Sequence, residues 1–215
     1  MPFERRDIRG PAWLALRRRS PTGLVPALDL DGELLTDSTD IALHLDARFP
    51  DPPLLPASPE AAARCHVLED WADESLYWYG LYYRWQDREG DRTAGDAFPP
   101  GTRRALRWYV GRGARQRLAG QGLGLKEPPV VARDLERHLD HLEVLLAGPW
   151  LLGDGPFLCD FAMASQLLYV SRTPHGGPRV AARPALGAYL ERFRELRQGV
   201  PSARGAGRQS SDSAS

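Results

Sequence analysis

The spacing of apolar residues changes period near residue 37. Upstream, residues 24–30 form an apolar run, and Glu33-Leu34-Leu35 is a second, shorter one. Between them stands Asp31-Gly32, a dipeptide that supplies the positive φ of a tight turn, so residues 27–35 are predicted to be a β-hairpin. Downstream, Ile41, Leu45 and Phe49 recur at i, i+4 and i+8 with Ala42 filling in, the spacing of a helix. Ser38 or Thr39 is the predicted N-cap, because a hydroxyl there can accept from the first unpaired backbone N–H groups.

The same reading extends along the chain. Residues 3–8 are a short strand candidate, and residues 12–19 a helix with Trp13, Leu14 and Leu16 inward and Arg17-Arg18-Arg19 outward. Residues 50–57 are dense in proline and form a stiff connector. Ser58-Pro59-Glu60 then starts a helix, cap first and proline next, that runs to about Arg88. It carries Trp71, Trp78, Tyr82 and Trp85 on one stripe, and Leu68, Ala72, Tyr79 and Tyr83 on another. Two apolar faces imply contact on two sides: a core on one, and a dimer seam or pocket wall on the other.

Residues 90–100 read as a loop. Residues 102–118 read as an Arg-rich helix with Ala105, Leu106, Trp108, Tyr109 and Val110 inside. A glycine-rich break at 120–124 precedes a helix over 130–146, with Leu135, Leu139, Leu142 and Leu146 at core spacing. A turn at 153–156, a buried helix over 160–170 and a last helix over 184–197 complete the pattern. The expected organisation is a first domain over residues 1–49, a linker at 50–57, an all-helical domain over 58–198, and a disordered tail at 199–215.

Composition narrows the partners. Lys+Arg and Asp+Glu both number 28, so no overall basic field points to nucleic acid or an anionic membrane. Lys126 is the only lysine, a bias towards arginine that reads as codon usage. Cys65 and Cys159 are isolated thiols without a disulfide framework, which suits a reducing compartment. No apolar run reaches membrane-spanning length and residues 1–6 are no signal peptide, so a soluble cytoplasmic protein is expected.

Candidate chemistry gathers at the hairpin. Free N–H groups and the positive end of the helix dipole at residues 38–40 offer a seat for a carboxylate. Asp37 beside them can hold an ammonium, so the pair fits an amino-acid head group. Val25-Pro26 is an X-Pro bond, the common place for a cis peptide; a cis turn would leave the backbone of Val25 available to an extended peptide ligand. The plain alternative is an ordinary hairpin with an ordinary N-cap.

Elsewhere the signals are weaker. Asp134, His138 and His141 share one helix face and could ligate a metal, but a solvated charged face explains them better. Cys159, among Phe157, Leu158 and Phe161, reads as a small buried residue and not an activated thiol. His44 and His66 have no nucleophile or carboxylate at catalytic spacing.

Residues 20–28 (Ser-Pro-Thr-Gly-Leu-Val-Pro-Ala-Leu), followed by Asp37-Ser38, resemble the glutathione-binding half of a glutathione transferase. The resemblance implies an incomplete thioredoxin-like domain followed by an all-helical one, a mainly α chain with a small α/β part. It implies that Val25 and Pro26 form the cis peptide that pairs with the cysteinyl backbone of glutathione, the co-substrate. Asp37 and Ser38 would hold the γ-glutamyl group. Residues 150–154 (Trp-Leu-Leu-Gly-Asp), ahead of a buried helix containing Asp160, resemble the helical domain of the same family. The aromatic helix and the Gly-rich loop at 120–124 are similar to the metaxin-like and failed-axon-connection-like branch.

Two departures matter. The family has Ser or Thr three residues before that Asp, where Phe157 stands here; losing the hydroxyl should weaken the cap by about 1 kcal/mol unless Asp154 substitutes. The family's first strand and helix, with the Tyr, Ser or Cys that activates the thiol, also have no counterpart before residue 3. The expectation is that Met1 is internal to a longer product; a natural truncation without catalysis is the other reading. No catalytic residue or metal ligand is assigned. The implied function is conjugation or exchange of the glutathione thiol with a small apolar electrophile, with a homodimer by resemblance. The alternative is a non-catalytic member that binds a ligand or partner.

Overall fold

A computed structural model describes residues 3, 4, 6, 11–20, 25–93, 104–146 and 148–198. They fall into two compact units, one up to Pro52 together with residues from Glu195, the other Pro53–Arg194. In order the elements are α1 (Pro11–Arg19), β1 (Ala27–Leu30), β2 (Glu33–Thr36), α2 (Ser38–Arg48), α3 (Pro59–Trp71), α4 (Tyr77–Trp85), α5 (Arg88–Thr93), α6 (Arg104–Gln121), α7 (Pro128–Leu145), α8 (Leu158–Ser171), α9 (Gly176–Ala181) and α10 (Pro184–Gln198). The chain is mainly helical, with one two-stranded sheet among the described residues.

In the first unit the hairpin forms as expected. β1 and β2 pair antiparallel in the register Ala27↔Thr36 to Leu30↔Glu33. Asp31 and Gly32 turn it with φ of 52° and 92°, the left-handed region that Asp-Gly accommodates. The predicted strand at 3–8 is not found: Phe3, Glu4 and Arg6 are outside any strand, and the other residues of that span lie outside the described ones. Arg6 instead reaches back to Glu4, Nη2 to Oε2 at 3.0 Å.

The second unit is built around α8. Leu158, Met163, Ala164, Leu167 and Val170 are buried on more than one face, because α3, α4 and α9 all pack against this helix. α7 presents Val131, Leu135, Leu139 and Leu142 to the core as the spacing predicts, each buried side chain contributing about 1.5–3 kcal/mol. The N–H of Leu158 bonds the carbonyl of Leu54 at 2.8 Å, so part of the proline-rich connector is fastened to the start of α8.

Three expectations are corrected here, and two further features are added. The aromatic helix is not continuous: residues Ala72–Leu76 form a π turn between α3 and α4, which shifts the phase of the two stripes. Residues 90–100 are not wholly a loop, since Asp87 Oδ2 accepts from Glu89 and Gly90 N–H at 3.0 and 2.9 Å and starts α5. On α6 the core face is Gly111, Ala114 and Leu118; Trp108, Tyr109 and Val110 point outward, Tyr109 being 70% exposed. Ala105 and Leu106 have side chains outside the described set. The short α9, entered at Gly176, was not predicted: its six residues are too few to show a period.

The second addition concerns the start of α8. Phe157 is the N-cap, and neither its ring nor Asp154 replaces the missing hydroxyl. The Asp160 N–H turns instead to the Phe157 carbonyl at 2.9 Å. The carboxylate of Asp160 accepts from Phe157 N–H and Leu151 N–H, both at 3.0 Å, and from the Tyr189 hydroxyl at 3.1 Å. One buried acid therefore ties the loop before α8, the helix itself and α10 together. No helix among the described residues is long and apolar enough to cross a membrane.

Candidate functional site

The antiparallel register decides what comes together in the first unit. Its last ladder pair is Ala27↔Thr36; Pro26 precedes the first of these residues in the chain and Asp37 follows the second. Pro26 and Asp37 thus flank the pair that ends the hairpin. The Val25–Pro26 peptide is cis, as expected, and Val25 is 62% exposed beyond the last ladder pair. A second cis peptide, Asp51–Pro52, lies in the connector.

Asp37 holds a backbone conformation that an L-residue rarely adopts, φ 99° and ψ 133°. Such a conformation costs of order 1–3 kcal/mol and persists where the surroundings enforce it. Here it turns the chain from β2 directly into α2. It also corrects the predicted cap. Asp37, not Ser38 or Thr39, is the N-cap: Oδ1 accepts from Thr39 N–H at 2.9 Å and Asp40 N–H at 3.4 Å. Aspartate is among the best caps because its carboxylate also meets the positive end of the helix. The signal was present in the sequence, one residue ahead of the two hydroxyls.

The correction alters the chemistry of the seat. Two of the N–H groups expected to receive a ligand carboxylate are engaged by Asp37 itself. Ser38, the first residue of α2, is exposed, and its hydroxyl takes no part in the cap. The end of the hairpin therefore offers an exposed hydroxyl, a negatively charged cap and the backbone of Val25. Nearby charges are paired: Arg19 Nη2 meets Asp29 Oδ2 at 2.9 Å, and Arg48 Nη2 meets Asp31 Oδ2 at 3.7 Å. These exposed pairs fasten α1 and α2 to the hairpin and contribute little stability each.

In the second unit the aromatic stripes serve mainly as core. Tyr79 and Trp71 stand edge-on to His138 at 5.5 and 5.3 Å, and Tyr83 lies 6.2 Å from His175. Burial pushes the Tyr79 phenol up to about 12 and raises Tyr82 and Tyr83 as well, so these phenols stay protonated at neutral pH.

The weighed metal face does not converge. Asp134 is buried and pairs with Lys126 Nζ at 2.8 Å and Arg137 Nη2 at 3.2 Å. His138 sits among rings, and His141 is exposed. Neither a metal site nor a simple solvated face describes them, and no group of three suitable ligands occurs among the described residues. Cys159 is buried, as expected, with its N–H donating to Cys65 Sγ at 3.3 Å. The hydrogen bond with the Cys65 side chain, and then burial, push its thiol up, which suits no nucleophile.

Compared with known proteins, residues 11–90 match the glutathione S-transferase N-terminal domain and residues 102–192 the glutathione S-transferase C-terminal domain. The chain is 27% identical over 203 residues to protein LigF of Sphingobium sp., covering 82% of this chain and 77% of that protein. It is 30% identical over 167 residues to a maleylacetoacetate isomerase of Rhizobium meliloti, covering 76% of this chain and 64% of the isomerase. Among solved structures it is similar to glutathione S-transferase III in its apo form, with a TM-score of 0.55 and 25% identity over 87% of this chain and 78% of that one. The finer resemblance to the metaxin-like branch gains nothing from these matches.

Proposed function

From its membership of the glutathione S-transferase family, to which this chain belongs, we propose that it binds the co-substrate glutathione at the end of the hairpin formed by Val25, Pro26, Asp37 and Ser38. One observation carries the reading. Pro26 and Asp37 flank the Ala27↔Thr36 pair that ends the ladder, and Asp37 is bent into the left-handed region to make the junction with α2. The exposed Val25 backbone can pair with the cysteinyl unit by strand addition. The Asp37 carboxylate attracts the γ-glutamyl ammonium, and the Ser38 hydroxyl is available to its carboxylate.

The reaction is transfer of the glutathione sulfur to a small electrophile. The sulfur forms a bond to the electrophilic carbon, a leaving group departs with the bonding pair, and the thiol proton passes to solvent. Binding the thiolate in preference to the thiol raises the fraction of reactive nucleophile near neutral pH. A cytoplasmic location and a homodimer accord with the same reading. Retention on immobilised glutathione tests it. Free glutathione should elute the protein, while cysteinylglycine, which lacks the γ-glutamyl unit, should not. Equal elution by both would remove the head-group seat from the account.

A further inference from the structure

We propose that Cys65 and Cys159 are a buried redox pair that closes a disulfide between α3 and α8 when the protein meets a hydroperoxide. The two thiols stand 94 positions apart in sequence and are fully buried in the helical unit, where α3 packs on α8. Cys159 is the second residue of α8, and the first N–H groups of a helix have no partner within it. Its N–H takes the Cys65 sulfur as acceptor, 3.3 Å away. The two side chains also hydrogen-bond to each other. Small buried thiols that only fill space need no such contacts. A thiol is a weak acceptor and a thiolate a far better one, so the start of α8 favours negative charge on Cys65.

The pair is asymmetric, and the asymmetry sets the roles. The hydrogen bond from the Cys159 side chain lowers the Cys65 thiol, against the opposing effect of burial. The same contact holds Cys159 up, so it keeps its proton. Cys65 is therefore the attacking sulfur and Cys159 the resolving one. The Cys65 thiolate attacks one oxygen of hydrogen peroxide, the O–O bond breaks, and hydroxide leaves and takes up the proton that Cys65 gave. Cys65 is then a sulfenic acid. The Cys159 sulfur bonds to the Cys65 sulfur, the S–O bond breaks, and the departing hydroxide leaves with the Cys159 proton as water. Two thiols lose two electrons, the peroxide gains two, and two waters form. Burial makes the reaction slow, because the oxidant enters when the start of α8 opens. There the Leu158 N–H is fastened to the Leu54 carbonyl of the connector at 2.8 Å.

The inference does not rest on the glutathione reading, because the oxidant is added to the full chain without glutathione. The reduced protein is treated with hydrogen peroxide, cleared with catalase, alkylated in denaturant, and weighed intact and after proteolysis. The expected product carries no alkyl group, is lighter than the reduced chain by about 2 Da, and holds the Cys65 and Cys159 peptides together until dithiothreitol is added. It should unfold at higher urea than the reduced protein, because the link closes a long loop. Cys159→Ser should stop at one sulfenic acid on Cys65, trapped by dimedone, and Cys65→Ser should give no dimedone adduct at Cys159. Thiols that stay fully alkylatable, sulfinic acid without the cross-link, a link between two chains, or a link formed only in the urea-unfolded chain would each overturn the proposal. Should a serine variant fail to fold, the wild-type products decide by themselves.

Discussion

Asp37 Oδ1 accepts from the Thr39 N–H at 2.9 Å, one residue past the Ala27↔Thr36 pair that ends the ladder. Asp37 therefore has two tasks that substitution can separate: capping α2 and presenting negative charge to a ligand. Asp37→Asn keeps an acceptor for the Thr39 and Asp40 N–H groups, so stability should change by less than about 0.5 kcal/mol. Its glutathione affinity should nonetheless fall about tenfold, the equivalent of ~1.4 kcal/mol. Asp37→Ala should lose both affinity and about 0.5–2 kcal/mol of stability. Urea unfolding beside a binding titration reads the two effects separately.

Gly80 lies mid-helix, where alanine would ordinarily stabilise by about 1 kcal/mol. The Tyr169 ring reverses that sign. A methyl group at 2.3 Å from Cδ1 must displace the ring from Tyr77 and Arg84. Gly80→Ala should destabilise by about 1–3 kcal/mol, seen as a lower urea midpoint with an unchanged slope.

Asp160 accepts from two backbone N–H groups and a phenol in the interior. Asp160→Ala leaves both N–H groups without a partner, while the phenol keeps the carbonyl of residue 160 at 3.1 Å; each orphaned group costs about 1–3 kcal/mol. The loss should be about 2–6 kcal/mol. Tyr189→Phe removes only one donor and should cost roughly 1–2 kcal/mol, measured by the same unfolding experiment.

Two groups on α7 should shape the pH dependence of stability. His138 has its ordinary value of 6.5 lowered, chiefly by burial. The unfolded chain therefore takes up the proton first, and stability falls as pH drops through 6.5 towards the lower folded value. His138→Phe should flatten that part of the profile. Asp134 lies below its ordinary 3.8, chiefly through its hydrogen bond from Lys126. Its stabilisation is present above 3.8 and is lost as pH falls through the folded value, a segment that Asp134→Asn should remove.

The hairpin, α2, α7 and α8 were legible because each carries a local signal: Asp-Gly, a capping side chain, or leucines at helical spacing. So was the cis Val25–Pro26 peptide, since X-Pro is the common place for one. The π turn at Ala72–Leu76 was not, since a single wide turn leaves no mark on composition. The outward face of Trp108 and Tyr109 was also hidden: apolarity says that a residue can be buried, and only the neighbouring helices decide whether it is. The stacking of Tyr169 on Gly80 joins positions 89 apart in sequence (169 minus 80), beyond the reach of any local pattern.

Ser38 offers the most direct test, because its hydroxyl has no part in capping α2. Calorimetric titration of glutathione into the wild type and into Ser38→Ala separates ligand binding from folding. Equal melting temperatures with an affinity at least tenfold weaker in the variant is the predicted result. Equal affinity in two equally folded proteins would contradict the placement of the γ-glutamyl group at the tip of α2.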